Sequence, residues 1–301
     1  MVFTRLVDEN LQEFPSDLKS HQRLNFCGKF HKPMRGECEV KKMNQHGIVV
    51  LNFDHTYMEQ TFFQGEAYDW LDLDKIPGTN LYCEQASLRQ IAHKLRPKRG
   101  KKITFIGSGN YHYVSFLLLS EIEKPFTLLL FDHHTDMLPS PGDSIISCGS
   151  WVLDSLQKIP MLQKVILIGV AKDWILQIPE MMREKIAVFS EPLLHVDYVS
   201  TVHSVIEQIP TEAVYISVDK DVLNMDEAAT AWDQGSMQLR QLVEMVDEVA
   251  EKKEICGFDV CGEYPLTASE LYLPATREAI IKNDHSNHVI LEHVKHSVLK
   301  H

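Results

Sequence analysis

The feature that most constrains this chain is a train of short apolar runs separated by segments with helical periodicity. The runs are Gly47-Ile-Val-Val-Leu-Asn-Phe53, Lys102-Ile-Thr-Phe-Ile-Gly107, Phe126-Thr-Leu-Leu-Leu-Phe131, Lys164-Val-Ile-Leu-Ile-Gly-Val170, Lys185-Ile-Ala-Val-Phe189, Ala213-Val-Tyr-Ile-Ser-Val218 and Glu254-Ile-Cys-Gly-Phe-Asp-Val260. They are apolar on both faces rather than alternating, as parallel strands covered by helices must be. Between them lie predicted helices at 84–95, 113–123, 150–157, 175–183, 200–208 and 236–253, and the tail 267–300 also reads as helical. In the first of these, Leu88, Ile91, Ala92 and Leu95 share a face, and Pro97 and Gly100 stop it. Strand and helix alternate at least six times. This predicts a three-layer αβα sandwich with a mainly parallel central sheet. Residues 56–80 and 137–149 read as loops. Residues 1–46, polar and mixed, read as an N-terminal arm or cap, which leaves 47–301 as one α/β domain.

Composition narrows the function classes. A chain of 301 residues with 44% hydrophobic content builds a core without staples. Its formal charge of -12, with no dense basic block, argues against nucleic acid and mildly for a cationic ligand. The six cysteines form no Cys-X-X-Cys pair, so a zinc knuckle or thioredoxin-like site is not expected. No run reaches membrane length and the first residues lack a signal-peptide core. A cytoplasmic protein with reduced thiols is the expectation.

Ligands of parallel α/β sheets sit beyond the carboxyl ends of the strands, so the residues there carry the chemistry. They are Asp54 and His55; Gly107-Ser-Gly-Asn-Tyr-His112; Asp132, His134 and Asp136; Asp219 and Asp221; and Asp259 followed by Glu263. In extended backbone, positions i, i+2 and i+4 point one way. Asp132, His134 and Asp136 are therefore expected to converge, as are Asp219 and Asp221, while His133, Thr135 and Lys220 point elsewhere. Carboxylates gathered so closely repel one another and need a cation. Two divalent ions satisfy that need, and mixed carboxylate and imidazole ligands suit manganese or iron.

Three motifs resemble those of the arginase–agmatinase–formimidoylglutamase superfamily of ureohydrolases. Asp132-His-His-Thr-Asp136 is similar to its Asp-Ala-His-X-Asp signature. Ser217-Val-Asp-Lys-Asp-Val-Leu223 is similar to Ser-X-Asp-X-Asp-X-X-Asp, and Gly109-Asn-Tyr-His112 to the Gly-Gly-Asp-His turn. The resemblance spans roughly 47–265. It implies an arginase-like fold with two Mn²⁺ ions, Fe²⁺ and Zn²⁺ being the alternatives. His112, Asp132, Asp136 and Asp219 would hold one ion, and His134, Asp132, Asp219 and Asp221 the other. Water activated between the ions would attack a guanidinium carbon, with Asp221 steadying it or taking its proton. The family is often trimeric or hexameric, so a homo-oligomer is among the expectations.

The departures from the family pattern fall around the substrate. Asn110 and Tyr111 replace Gly and Asp, and Lys220 replaces an apolar residue. Cys148 stands where the family commonly has a histidine that relays protons. In Asp259-Val-Cys-Gly-Glu-Tyr-Pro265, Gly262 stands where the family has a substrate-contacting Glu, and Glu263, one residue later, is the candidate to recover that role. Thr230-Ala-Trp-Asp-Gln-Gly235 lacks the usual Thr-Pro-Gly-Gly, so Trp232 or Asp233 is expected at the entrance. Cys148, Glu263 and Asp221 are thus the catalytic candidates. The leading function is hydrolysis of a guanidino or related amidino C–N bond, in a cationic small molecule or an arginine-containing peptide. An entrance lined by 1–46 and 56–80 would suit the peptide. The alternatives are a mononuclear-metal amide deacetylase and a non-catalytic metal-binding regulatory protein on the same fold.

Overall fold

The computed structural model describes residues 47–299, apart from 99, 101, 143 and 268. The expected arm at 1–46 lies outside the described residues. Eight strands form one sheet: β1 (Ile48–Asn52), β2 (Tyr68–Asp72), β4 (Ile103–Gly107), β5 (Phe126–Phe131), β7 (Leu162–Val170), β8 (Ile186–Ser190), β9 (Ala213–Asp219) and β10 (Glu254–Cys261). Their order is β2-β1-β4-β10-β9-β5-β7-β8, and every pairing is parallel. A separate antiparallel pair joins β3 (Tyr82–Glu84) to β6 (Ile145–Ser147). Each apolar run predicted as a strand is one, and β1, β4, β5 and β9 are buried at every residue.

Helices cover both faces and complete the three-layer α/β sandwich. On one side, Glu191–Val196 lies against β7 and β8, and Pro274–Val298 lies against β4 and β10 and packs on Leu239–Lys252. On the other, Val114–Leu119 packs on Trp151–Lys158, which lies against β7. The differences from expectation are local. The segment 56–80 is not all loop, because Tyr68–Asp72 pairs with β1 at the sheet edge. The helix expected at 113–123 ends at Leu119, and that expected at 175–183 is two short pieces, Lys172–Ile175 and Glu180–Lys185. The tail helix starts at Pro274, whose missing N–H costs nothing in a first turn.

Register positions the site. Across the four central strands, Gly107 pairs with Cys261 and Cys261 with Asp219, while Val218 pairs with Phe131, which precedes Asp132. The ends of β4, β10, β9 and β5 therefore lie side by side, about 4.8 Å apart per strand. Just behind this row, Lys220 pairs with Glu263, both fully buried. The Glu263 carboxylate also accepts from Gln60 Nε2 at 2.7 Å and Asn287 Nδ2 at 2.7 Å. Burial pushes the Lys220 ammonium down, and Glu263 works against that shift. One charge pair thus ties the ends of β9 and β10 to the turn at 60 and to the long C-terminal helix.

Removing one partner of a buried pair leaves the other charge uncompensated, which costs about 3–5 kcal/mol. Glu263→Gln and Lys220→Met should each lose about that much stability, and the double variant should recover most of it. Urea unfolding of the four proteins measures the coupling; strictly additive losses would refute it.

Candidate metal centre

Asp132 follows β5 directly, and its backbone N–H donates to Ile168 O. Its Oδ1 accepts from the His134 N–H at 2.6 Å, which closes a tight bend. The chain from 132 to 136 forms no strand and bends at His133 and His134, and Asp136 sits in the left-handed region at φ 51°. Asp132, His134 and Asp136 do converge, but bends bring them together rather than strand alternation. Asp136 is held by Trp151 Nε1, which donates to its Oδ2 at 2.6 Å. Val152 N–H donates to its carbonyl. His133 and Thr135, expected to point away, are also buried.

His112 enters from the turn after β4. Its Nδ1 lies 3.1 Å from Asp136 Oδ2, 3.5 Å from Asp132 Oδ2 and 3.5 Å from Asp219 Oδ2, yet makes no hydrogen bond. Its Nε2 lies 2.9 Å from Ser217 Oγ. Ser217 donates to Asp259 Oδ1 at 2.7 Å, so it accepts from His112 Nε2–H. Tyr215 fills the other oxygen of Asp259 at 2.8 Å. Ser217 and Asp259 are register partners on β9 and β10, so the sheet itself fixes the tautomer that leaves Nδ1 facing the carboxylates.

His134 is oriented in the same way. Its Nε2 lies 3.0 Å from Asp233 Oδ1, while Nδ1 faces Asp221 Oδ2 at 2.9 Å and Asp132 Oδ1 at 3.4 Å. The second oxygen of Asp221 accepts from His133 N–H at 3.0 Å. Asp219 Oδ1 accepts from Asp221 N–H at 3.0 Å, and the thiol of Cys261 donates to Oδ2 at 3.1 Å. Cys261 did not figure among the expected site residues. As the last residue of a central strand, it was open to the same strand-end rule that singled out Asp219.

The charges are out of balance. Burial, then Asp136 and Asp221, hold the Asp132 carboxyl well above the usual range. Burial, then Asp221, push Asp219 up to about 6. Burial alone would lower His112, but Asp136, Asp219 and Asp132 outweigh it and lift the imidazole to about 10. The cluster holds more negative charge than its side chains cancel. Two sets of potential ligands, His112–Asp132–Asp136 and Asp132–His134–Asp221, share Asp132. The orphaned Nδ1 of His112, the fixed tautomers and the surplus of carboxylates fit a pair of divalent cations.

A cavity of about 160 Å³ opens onto the cluster, lined by Asp132, His134, Asp136, Asp219 and Asp221 on one side and Tyr82, Trp174 and Trp232 on another. Trp232 is held by Asn110 Oδ1, which accepts from its Nε1 at 3.1 Å, and Gly109 leaves just enough room beneath it. Cys148 is in the cavity wall, and burial, then Asp136, push its thiol up to about 12. Glu263 does not line the cavity, because Lys220 and two buried amides occupy it. Asp54 holds the turn at Thr56, His55 precedes it in the left-handed region without a side-chain cap, and neither lines the cavity. Nor do residues 56–80.

Two outcomes follow. Ser217→Ala removes the group that fixes the His112 tautomer and should weaken divalent-ion affinity about 10–100-fold, read by metal titration. In chelated protein, a folded-state pKa of about 6 for Asp219, above its unfolded value, gives a penalty absent below about pH 4 and complete above about pH 6. Relative to Asp219→Asn, the wild type should lose on the order of 3 kcal/mol across that window, and added divalent ion should restore it. Parallel pH–melting curves for the two proteins would rule this out.

Known proteins share this architecture. A Streptomyces clavuligerus proclavaminate amidino hydrolase superposes with a TM-score of 0.60 at 13% identity, over 82% of this chain and 92% of that one. A Trypanosoma cruzi formiminoglutamase crystallised with Mn²⁺ gives 0.58 at 10% identity, over 83% and 95%. A Bacillus subtilis formimidoylglutamase gives 0.57 at 14% identity, over 81% and 86%. In sequence, an uncharacterized Thermotoga maritima protein is 28% identical over 217 residues, 72% of this chain and 79% of that protein. No helix among the described residues is long and apolar enough to cross a membrane. The Arginase family model matches residues 44–271, and the chain therefore belongs to the arginase family, as a distant branch of the ureohydrolase superfamily.

Proposed function

We propose that this chain is a binuclear-metal hydrolase that cleaves a C–N bond of a guanidino or related amidino group. The observation that carries the reading is the placement of Asp132, whose two oxygens face two different imidazoles at 3.5 Å and 3.4 Å. In this reading His112, Asp132, Asp136 and Asp219 hold one ion, and His134, Asp132, Asp219 and Asp221 the other. Two such ions, when bound, supply a water that ionises at neutral pH and a Lewis acid for the substrate. For a shell of nitrogen and oxygen alone manganese is the first choice, supported by the Mn²⁺ of the Trypanosoma cruzi neighbour, with iron and zinc as alternatives.

The remaining work falls to side chains. Asp221 lines the cavity, and in this reading it takes the proton of the attacking water. The indoles of Trp174 and Trp232 stand over His134, with ring centroids 4.8 Å and 5.8 Å away, and offer π-faces to a cationic head group. Gly262 brings no carboxylate, so the aromatic faces and the acidic cluster select the cation. Cys148, its thiol pushed up to about 12, serves as wall rather than as the proton relay. The small cavity favours a guanidino or formimino head group entering end-on, and arginine-containing peptides belong in the same screen.

The test is a screen of Mn²⁺-loaded protein against free arginine, agmatine, guanidino acids, formiminoglutamate and arginine peptides, following urea from the guanidino compounds and formamide from the formimino compound, with ammonia as the sign of deimination instead. Release of urea or formamide is expected from at least one, with about two ions bound per chain. Asp132→Ala should abolish paired loading and turnover together. Cys148→Ala should leave turnover within about tenfold, since a group that does not relay protons gives less than the general-acid effect. A single zinc with deacetylation would favour the amide-deacetylase reading, and full loading without turnover the non-catalytic one.

A further inference from the structure

We propose that Cys261 is a metal ligand of this centre, so that the ion beside His112 is bound by nitrogen, oxygen and sulfur. The inference rests on the reading that the cluster holds divalent cations, and adds a donor that no motif of the chain specifies. Cys261 ends β10 in register with Asp219 on β9 and Gly107 on β4, and is fully buried. Its Sγ is 3.1 Å from Asp219 Oδ2. The same oxygen lies 3.5 Å from His112 Nδ1, while Oδ1 is turned away to the Asp221 N–H. Sulfur and imidazole therefore approach the same carboxylate oxygen. His112, Asp219 and Cys261 each offer a donor atom within 4.8 Å of the others, and the nitrogen among them has no hydrogen-bond partner.

A buried cysteine is most often a small hydrophobe with a weak S–H bond. Here the chain around it makes that role insufficient. Gly262, at φ 90°, turns the backbone directly against Asp219, where a Cβ would lie 2.4 Å from Oδ1. That turn brings the end of β10 into the cluster instead of letting it pass behind. On ion binding the S–H proton leaves to solvent as the sulfur–metal bond forms, so uptake releases one more proton than it would with a serine. Thiolate is soft and favours zinc, iron or cobalt over manganese. The two positions become unequal, with sulfur at the His112 side and only nitrogen and oxygen at the His134 side.

The test is X-ray absorption at the zinc edge of the fully loaded protein, with metal content counted in the same sample. A sulfur scatterer at about 2.3 Å is expected, lost in Cys261→Ser and retained in Cys148→Ser. Competition titration should show Cys261→Ser shifting preference from zinc toward manganese by about tenfold or more. About two ions bound in a shell of nitrogen and oxygen alone would overturn the sulfur ligand while leaving the binuclear reading intact. So would a sulfur signal that vanishes in Cys148→Ser, an outcome that does not depend on whether Cys261→Ser folds. Failure to bind divalent ions at all would overturn both readings.

Discussion

Everything near the strand ends answers to one constraint, the burial of several carboxylates in a small volume. Asp132, Asp219 and Asp221 are each almost inaccessible, and Asp136 is close beside them. Removing such groups from water costs several kcal/mol each unless positive charge is returned. The protein returns only part of that charge, through His112, whose imidazole the carboxylates lift to about 10. Lys220, the one cation on the same strand end, is committed to Glu263 behind the cluster. Both histidines have one nitrogen tied down by outer partners and the other turned inward. The architecture is thus built around charge that must come from outside the chain.

The supporting shell shows how cheaply a parallel sheet can supply such precision. Ser217 and Asp259 are ordinary in-register neighbours on β9 and β10, yet together they decide which nitrogen of His112 faces the carboxylates. No loop has to be ordered to do this. Asp233, by contrast, orients His134 from an exposed loop beside Trp232, so the second imidazole is held from outside the sheet.

The sheet was readable in the sequence because its strands are apolar on both faces, and the ligands because they follow those strands directly. What escaped notice depends on context. Tyr68–Asp72 lies at the sheet edge with only Leu71 buried, and its mixture of aromatic and acidic residues looks like loop. The β3–β6 pair is too short to carry a period. Asp136 joins the cluster through its left-handed backbone and the Trp151 indole, neither of which strand alternation foretells. The spacing of the cysteines to one another carries no hint of Cys261, whose meaning comes from its strand-end register with Asp219. Glu263 looked like a displaced substrate contact, and only packing reveals that Lys220 claims it.

Gly262 carries a consequence for what the strand end can hold. A side chain there would collide with Asp219 Oδ1 and with the backbone nitrogen of Lys220, at 2.4 Å and 2.6 Å. A glutamate introduced at 262 would first have to displace the strand end that carries Asp219 and Lys220. Room for variation around the cluster lies instead along the cavity's aromatic wall, at Tyr82, Trp174 and Trp232.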